Sequence, residues 1–328
     1  MEGKRGTRLG CPYPRVSRAS VTEALTRALP AAGAVTAVEP LLKGHGHQSF
    51  VVRTTAGGDL LLKIALRGEQ LGKMRSLHHV LELAARHGIP APRLLHFSDG
   101  TASFGGRPWL VQEFLEGQDG EIAIAGMTEP GRAAFFRDFG RAVARLHAVD
   151  CGYFAEDLMP TRREETWLAL VDARVERLHE SHRQAAVLPR ESVKSAGEAI
   201  RRAARAVTTP VPPSLVHRDL YLPNTLVTAG RFRCLLDFEH ARSSDAVIDF
   251  VKLRMWVFDA VPGSEHEFHA GYGADPLGTD DGRLRYRVAL GLELLSGLAY
   301  WNATGQAAML EDYQRRFAEW LVRRPRVE

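Results

Sequence analysis

The hydrophobic period of this chain changes once, and that change limits the folds open to it. Through the first third, apolar residues come in short alternating runs broken by turn residues. From Glu129 onward they recur with a period near 3.6. A period of two marks strands with one face buried; a period of 3.6 marks helices with an apolar stripe. Strands first and helices afterwards predict an α+β chain, with a small antiparallel sheet unit followed by a larger, mainly helical one. Its 328 residues suffice for two moderate cores.

Residues 19–114 are expected to form the sheet unit. Ser20-Val21-Thr22-Glu23 reads as a capping box opening a short helix that stops at Pro30. Strands are expected at Val35–Leu42, Phe50–Thr54 and Leu60–Ala65, with Gly57-Gly58 turning the last two. Between the first two lies Gly44-His45-Gly46-His47-Gln48-Ser49. Glycines let backbone N–H groups approach phosphate oxygens, although most such hairpins are only turns. Lys63 interrupts the third apolar run. A helix over Leu71–His87, closed by Gly88 and Pro90, and strands near Leu94–Phe97 and Trp109–Phe114 complete the unit. Residues 1–18 carry Lys4, Arg5 and Arg8 with no hydrophobic region behind them, so a disordered basic arm is expected rather than a secretory signal.

Residues 115–328 are expected to form the helical unit. Phe135, Phe139, Val143 and Leu146 line one side of a helix ending near His147. Helices are also expected at Glu164–Glu180, Glu191–Ala206, Ala246–Phe258, Arg283–Asn302 and Met309–Val322. One hairpin interrupts them, Leu226–Thr228 with Phe232–Leu236. It has Asn224 before its first strand and Asp237 after its second, so the two residues can converge on one ion. Just upstream stands His217-Arg218-Asp219, five residues before Asn224. A carboxylate able to receive a proton, with an amide and a carboxylate able to hold Mg²⁺, is what phosphoryl transfer from ATP requires.

Bulk properties narrow the partners. A formal net charge of +4, spread along the chain, gives no nucleic-acid patch. No apolar run approaches membrane-spanning length. The three cysteines, Cys11, Cys151 and Cys234, form no disulfide framework or metal spacing, which points to a reducing cytoplasm.

Together these parts resemble the aminoglycoside phosphotransferase and choline kinase-like superfamily, a branch of the protein-kinase-like fold, from about Val35 to Trp320. The resemblance implies a bilobal molecule. It makes Asp219 the catalytic base or hydroxyl-positioning residue and Asn224 and Asp237 the Mg²⁺ ligands. His217 and Asp249 would brace the catalytic loop. Lys63 would hold the phosphates of ATP or GTP, and Gly44, His45, Gly46, His47, Gln48 and Ser49 would cover them. Val111-Gln112-Glu113-Phe114-Leu115 looks like the hinge, with adenine bonding to the backbone of Glu113 and Leu115. Family members usually place a Glu after the strand lysine. Here that position falls near Leu77 or His78, neither of them acidic; Glu69 or Glu82 could pair with Lys63, and the partner stays open. Only a dozen residues separate Asp237 from Asp249, and Tyr221 stands where protein kinases carry a catalytic-loop lysine. Both features favour a small-molecule kinase.

The substrate is expected to meet the helical unit. From Asp259 to Gly282 the chain holds six acidic residues and no Lys or Arg. That is either a solvated loop or a lip attracting a cationic substrate. Asp259, Glu265, Glu267, Tyr272 and Trp301 are the candidate contacts. Three readings stay open: an antibiotic-inactivating O-phosphotransferase, a metabolic kinase for an amino alcohol, sugar or hydroxy amino acid, and a nucleotide-binding pseudokinase. Either a monomer or a homodimer would serve.

Overall fold

A computed structural model describes residues 16–41, 47–66, 71–100, 103–156, 158–160, 162–185 and 187–322. The chain divides into two compact units. One runs through Leu81 and resumes over Pro92–Leu115; the other takes Glu82–Ala91 and everything from Glu116.

The first unit opens with α1 (Arg18–Ala28). Its capping box is formed by Ser17 and Ser20, three residues earlier than the expected Ser20–Glu23 pair. Glu23 instead forms an i,i+4 pair with Arg27, so its carboxylate is engaged along the helix rather than at its end. Strands β1 (Val35–Leu41), β2 (His47–Thr54) and β3 (Leu60–Ala65) follow, then α2 (Leu71–Arg86), β4 (Leu94–Ser98) and β5 (Trp109–Glu113). The five strands form one antiparallel sheet in the order β1-β2-β3-β5-β4. Gly57 and Gly58, both at positive φ, make the β2–β3 turn, a backbone that residues with a Cβ resist. Val21, Ala24 and Leu25 of α1 pack with Val52, Leu62, Ile64, Trp109 and Val111 of the sheet. His78 of α2 stacks on Phe97 of β4 at 4.6 Å.

In the second unit, β6 (Gln118–Asp119) leads into α3 (Gly120–Ala125) and the long α4 (Glu129–His147). Helices α5 (Trp167–Ala185) and α6 (Arg190–Arg205) precede β7 (Ser214–Val216). Helix α5 begins three residues later than expected because Glu164 is tied to Phe154 through paired backbone bonds. A hairpin, β8 (Thr225–Thr228) and β9 (Arg231–Leu235), also pairs with β6. Then come β10 (Arg242–Ser244), paired with β7, and α7 (Asp249–Leu253), which widens into a π turn over Arg254–Phe258. Helices α8 (Ser264–Tyr272), α9 (Asp280–Ala303) and α10 (Ala307–Val322) complete the unit. Phe135, Phe139, Val143 and Leu146 of α4 are all buried, as their spacing predicted. A second core joins α5, α6, α9 and α10. Among the described residues, no helix is long and apolar enough to cross a membrane. Cys151 and Cys234 are free thiols.

Candidate active site

The site is assembled around one buried carboxylate. Asp249, the first residue of α7, is 1% exposed. Its Oδ2 accepts from the His217 backbone N–H at 2.7 Å and lies 3.0 Å from His147 Nε2; its Oδ1 accepts from the Arg218 N–H at 2.6 Å. Burial would raise its pKa, but the hydrogen bond and charge of His147 and the neighbouring His217 outweigh that and hold it low. His147 Nδ1 in turn meets the Tyr272 hydroxyl at 2.9 Å. These bonds hold two consecutive N–H groups of the loop, and between them they fix an uncommon backbone: Arg218 sits at φ +70°. A non-glycine residue there costs on the order of 1 kcal/mol and persists where its surroundings dictate it.

That backbone presents Asp219 beside Asn224. The Asn224 amide Nδ2 donates to the Asp219 carbonyl and to Asp219 Oδ2, both at 2.9 Å. The other carboxylate oxygen, Oδ1, is 2.5 Å from Lys252 Nζ. Burial pushes the Asp219 pKa up, and the Lys252 ammonium more than reverses this, so it lies below the usual carboxylate range. The Asn224 carbonyl bonds to the Leu236 N–H at 2.8 Å. The hairpin's open end therefore brings Asn224 next to Asp237, which is exposed and in the left-handed region at φ +62°. His217 Nε2 reaches the Leu236 carbonyl at 2.8 Å, tying the loop to that same end. Tyr221 lies close enough to feel both acids: burial, Asp219 and Asp237 push its phenol up to about 12.

Asp219, Asn224 and Asp237 thus lie together, with His217 and Asp249 behind the loop that carries Asp219. Lys252 was not anticipated. It projects from α7, lies 5.3 Å from the Trp256 ring centre and sits beside Asp219, so the ammonium that Tyr221 does not provide arrives from elsewhere in the chain. A helix position i+3 from an acidic residue, as Lys252 is from Asp249, was the available hint. Two carbonyl and carboxylate oxygens at one open hairpin end suit a hard cation. The Asn224 amide fits this role, because it donates through Nδ2 to Asp219 and its oxygen remains an acceptor.

Other expected positions fall differently. Gly44, His45, Gly46 and Glu69 lie outside the described residues. His47, Gln48 and Ser49 belong to β2, facing Ala65, Ile64 and Lys63 of β3, rather than to a loop. Gln48 accepts from Arg107 Nη1 at 2.6 Å. Lys63 is in mid-strand between Ser49 and Leu110. Glu82 lies on α2, past the boundary of the first unit. At the hinge, Gln112 is buried. The Glu113 N–H donates to the Arg93 carbonyl, while the Arg93 N–H goes to the Glu113 side chain at 2.8 Å. The Glu113 carbonyl is thereby passed over by β4. Leu115 ends the unit.

The acidic stretch is not a bare lip. Glu267 pairs with Arg137 and Glu265 with Arg254 at 2.9 Å. Asp281 accepts from the backbone of Thr208 and Thr209. Asp275 caps Leu277, and Asp280 pairs with Arg283. Arginines flanking the stretch, and Arg137 from α4, supply what it lacks. Tyr272 is packed against Phe250 and Phe268, and Trp301 against Tyr300 and Tyr313. Asp259 is exposed.

Comparison with known proteins agrees with this geometry. Residues 37–289 match the model of the phosphotransferase enzyme family, APH. No curated protein sequence matches the chain. Among solved structures, it is similar to a thermostable mutant of aminoglycoside phosphotransferase APH(4)-Ia in ternary complex with AMP-PNP and hygromycin B (17% identity, TM-score 0.68, covering 92% of this chain and 97% of that one). It is also similar to APH(2")-IIia in complex with GDP and kanamycin (15%, 0.66, 92% and 97%). A putative aminoglycoside phosphotransferase from Ralstonia eutropha JMP134 shows the same likeness (16%, 0.65, 94% and 96%). At such identities the likeness establishes the protein-kinase-like fold. With the family model spanning most of its length, the chain belongs to the phosphotransferase enzyme family.

Proposed function

We propose that this protein transfers the γ-phosphoryl group of ATP or GTP to a hydroxyl of a small natural product, in the manner of antibiotic-inactivating enzymes. The observation that carries the reading is the Asp219 carboxylate, bonded to Asn224 on one side and Lys252 on the other. The AMP-PNP and GDP complexes of similar structures support a nucleotide donor.

Phosphoryl transfer passes through a loose transition state, so alignment and charge neutralisation do most of the work. Asp219 would orient the acceptor hydroxyl and take its proton late, which suits a carboxylate whose pKa is held down. Lys252 would keep that carboxylate ionised and place positive charge beside the transferring group. Asn224 and Asp237 would hold Mg²⁺, which when bound neutralises phosphate charge. Lys63 would engage the nucleotide phosphates, and the Glu113 carbonyl and Leu115 N–H would meet the base. A metabolic acceptor is the second reading. It is favoured by the pairing of Glu265 and Glu267 with arginines, which weakens the case for a strongly cationic antibiotic.

A coupled ADP-release screen over hydroxylated antibiotics and amino alcohols tests the proposal. Asp219→Asn should lower turnover by about 10²-fold or more with little change in nucleotide affinity, and Asp237→Asn should weaken Mg-nucleotide binding as well. Nucleotide binding with no transfer to any acceptor would instead favour a pseudokinase.

A further inference from the structure

Behind the Asp219 loop, within the second unit, four guanidinium groups surround a single carboxylate. Arg174 and Arg177, three apart on α5, reach Glu156 at 3.4 and 3.0 Å, and Arg242 of β10 bonds its other oxygen. Arg218 lies on the same pocket and is 3.6 Å from Glu293. Glu180, also on the rim, is paired with Arg183. Four positive charges therefore face two carboxylates. The pocket they line with Ser296 has a volume of about 460 Å³.

Arg174 and Arg218 are buried without being fully satisfied. The Arg174 side chain is 6% exposed and that of Arg218 is 9% exposed. Arg174 Nη1 and Arg218 Nε have no hydrogen-bond partner. Burying like charges costs several kcal/mol per ion unless they are paired, and an unmade hydrogen bond to a charged donor adds to that. Burial and the neighbouring arginines push Arg242 down to about 9 and Arg174 to about 10. Glu156, which burial would raise, is driven to about 2 by the four arginines.

We propose that this pocket is a binding site for an oxyanion, a phosphate or carboxylate group, held by Arg174, Arg177, Arg218 and Arg242. Guanidinium forks match the planar edge of a carboxylate and the tetrahedral face of a phosphate. An anion there supplies the missing negative charge and gives the unpartnered N–H groups their acceptors. Because Arg218 directly precedes Asp219, the occupant also braces the loop that carries it. That last link rests on the phosphotransferase reading; the binding does not.

The test uses the full chain at low ionic strength, by titration calorimetry and thermal melting, with inorganic phosphate and malonate as probes and chloride as the ionic-strength control. One equivalent of phosphate or malonate should bind and raise the melting temperature beyond chloride. Arg177→Gln should weaken that binding about tenfold, the scale of one charge-assisted hydrogen bond. Arg177 is half-exposed, so its replacement leaves the core intact. Arg242→Lys, which keeps the charge and loses the fork, should weaken it too. A preference for phosphate identifies a phosphoryl group as the occupant, and a preference for malonate identifies a carboxylate. Neither probe exceeding chloride, or binding that ignores both substitutions, overturns the proposal. None of these readouts depends on phosphoryl transfer.

Discussion

Lys252 and Asp219 illustrate how one pair sets the working range of a site. The Asp219 carboxyl is squeezed between burial, which favours the proton, and the Lys252 ammonium, which expels it. The ammonium wins, so the carboxylate is ready at neutral pH. In Lys252→Met burial is opposed only by the neighbouring His217 and His240, and the Asp219 pKa rises. The acid limb of the turnover profile should then move to higher pH, and turnover at neutral pH should fall about tenfold or more; Lys252→Arg should restore part of both. An acid limb that does not move would remove Lys252 from this role. The Asp219, Asn224 and Asp237 set was legible in the sequence because a loop and a hairpin impose short, fixed spacings on it. Lys252 was not, since it meets Asp219 across a separation of 33 residues and sits in an apolar helix like any surface lysine.

At the scale of elements, two glycines bring α4 and α8 into backbone contact. A Cβ on Gly140 would lie 2.2 Å from the Phe268 carbonyl oxygen, and one on Gly271 would lie 2.0 Å from that of Arg137. The close approach is what seats Tyr272 beside His147 and, through it, Asp249. Gly271→Ala must push the helices apart and should destabilise the fold by about 1–3 kcal/mol, read from urea unfolding. Gly72→Ala, where nothing lies within 4 Å of the added methyl, should be neutral or slightly stabilising. An equal response from the two would mean helix propensity, not contact, governs Gly271. Periodicity disclosed that α4 has an apolar face. It did not disclose the partner of that face, because glycine carries no hydrophobic signal. The same kind of gap misplaced the first capping box. Ser17 and Ser20 close it between themselves, and a serine at the third helical position is a weaker sequence signal than the Glu23 that follows.

The change of period marks where the sheet unit gives way to helices, but not that the chain crosses between units more than once. Glu82–Ala91 joins the second unit because the Pro90 carbonyl accepts from Leu235 of β9 and that of Gly88 from Arg145. Those bonds span long separations and leave no local trace. That second unit buries a large share of the titratable groups, so its stability should fall in two stages on acidification. His182 is 2% exposed, with Nε2 at 2.8 Å from the Leu295 carbonyl, and burial lowers its pKa. The unfolded chain therefore takes up this proton more readily than the folded one, and stability is lost as pH falls through about 6.5, the unfolded value. Asp249, Glu156 and Glu293 are shifted the same way, with depressed pKa values in the fold. Their contribution is complete above the unfolded range near 4 and disappears as pH drops below it. Urea midpoints should accordingly decline between pH 7.5 and 5.5, hold a shoulder, and collapse below about pH 4. In His182→Gln, which keeps a donor for Leu295, the first decline should shrink while the acid collapse stays. If the first decline is undiminished, His182 is not its source.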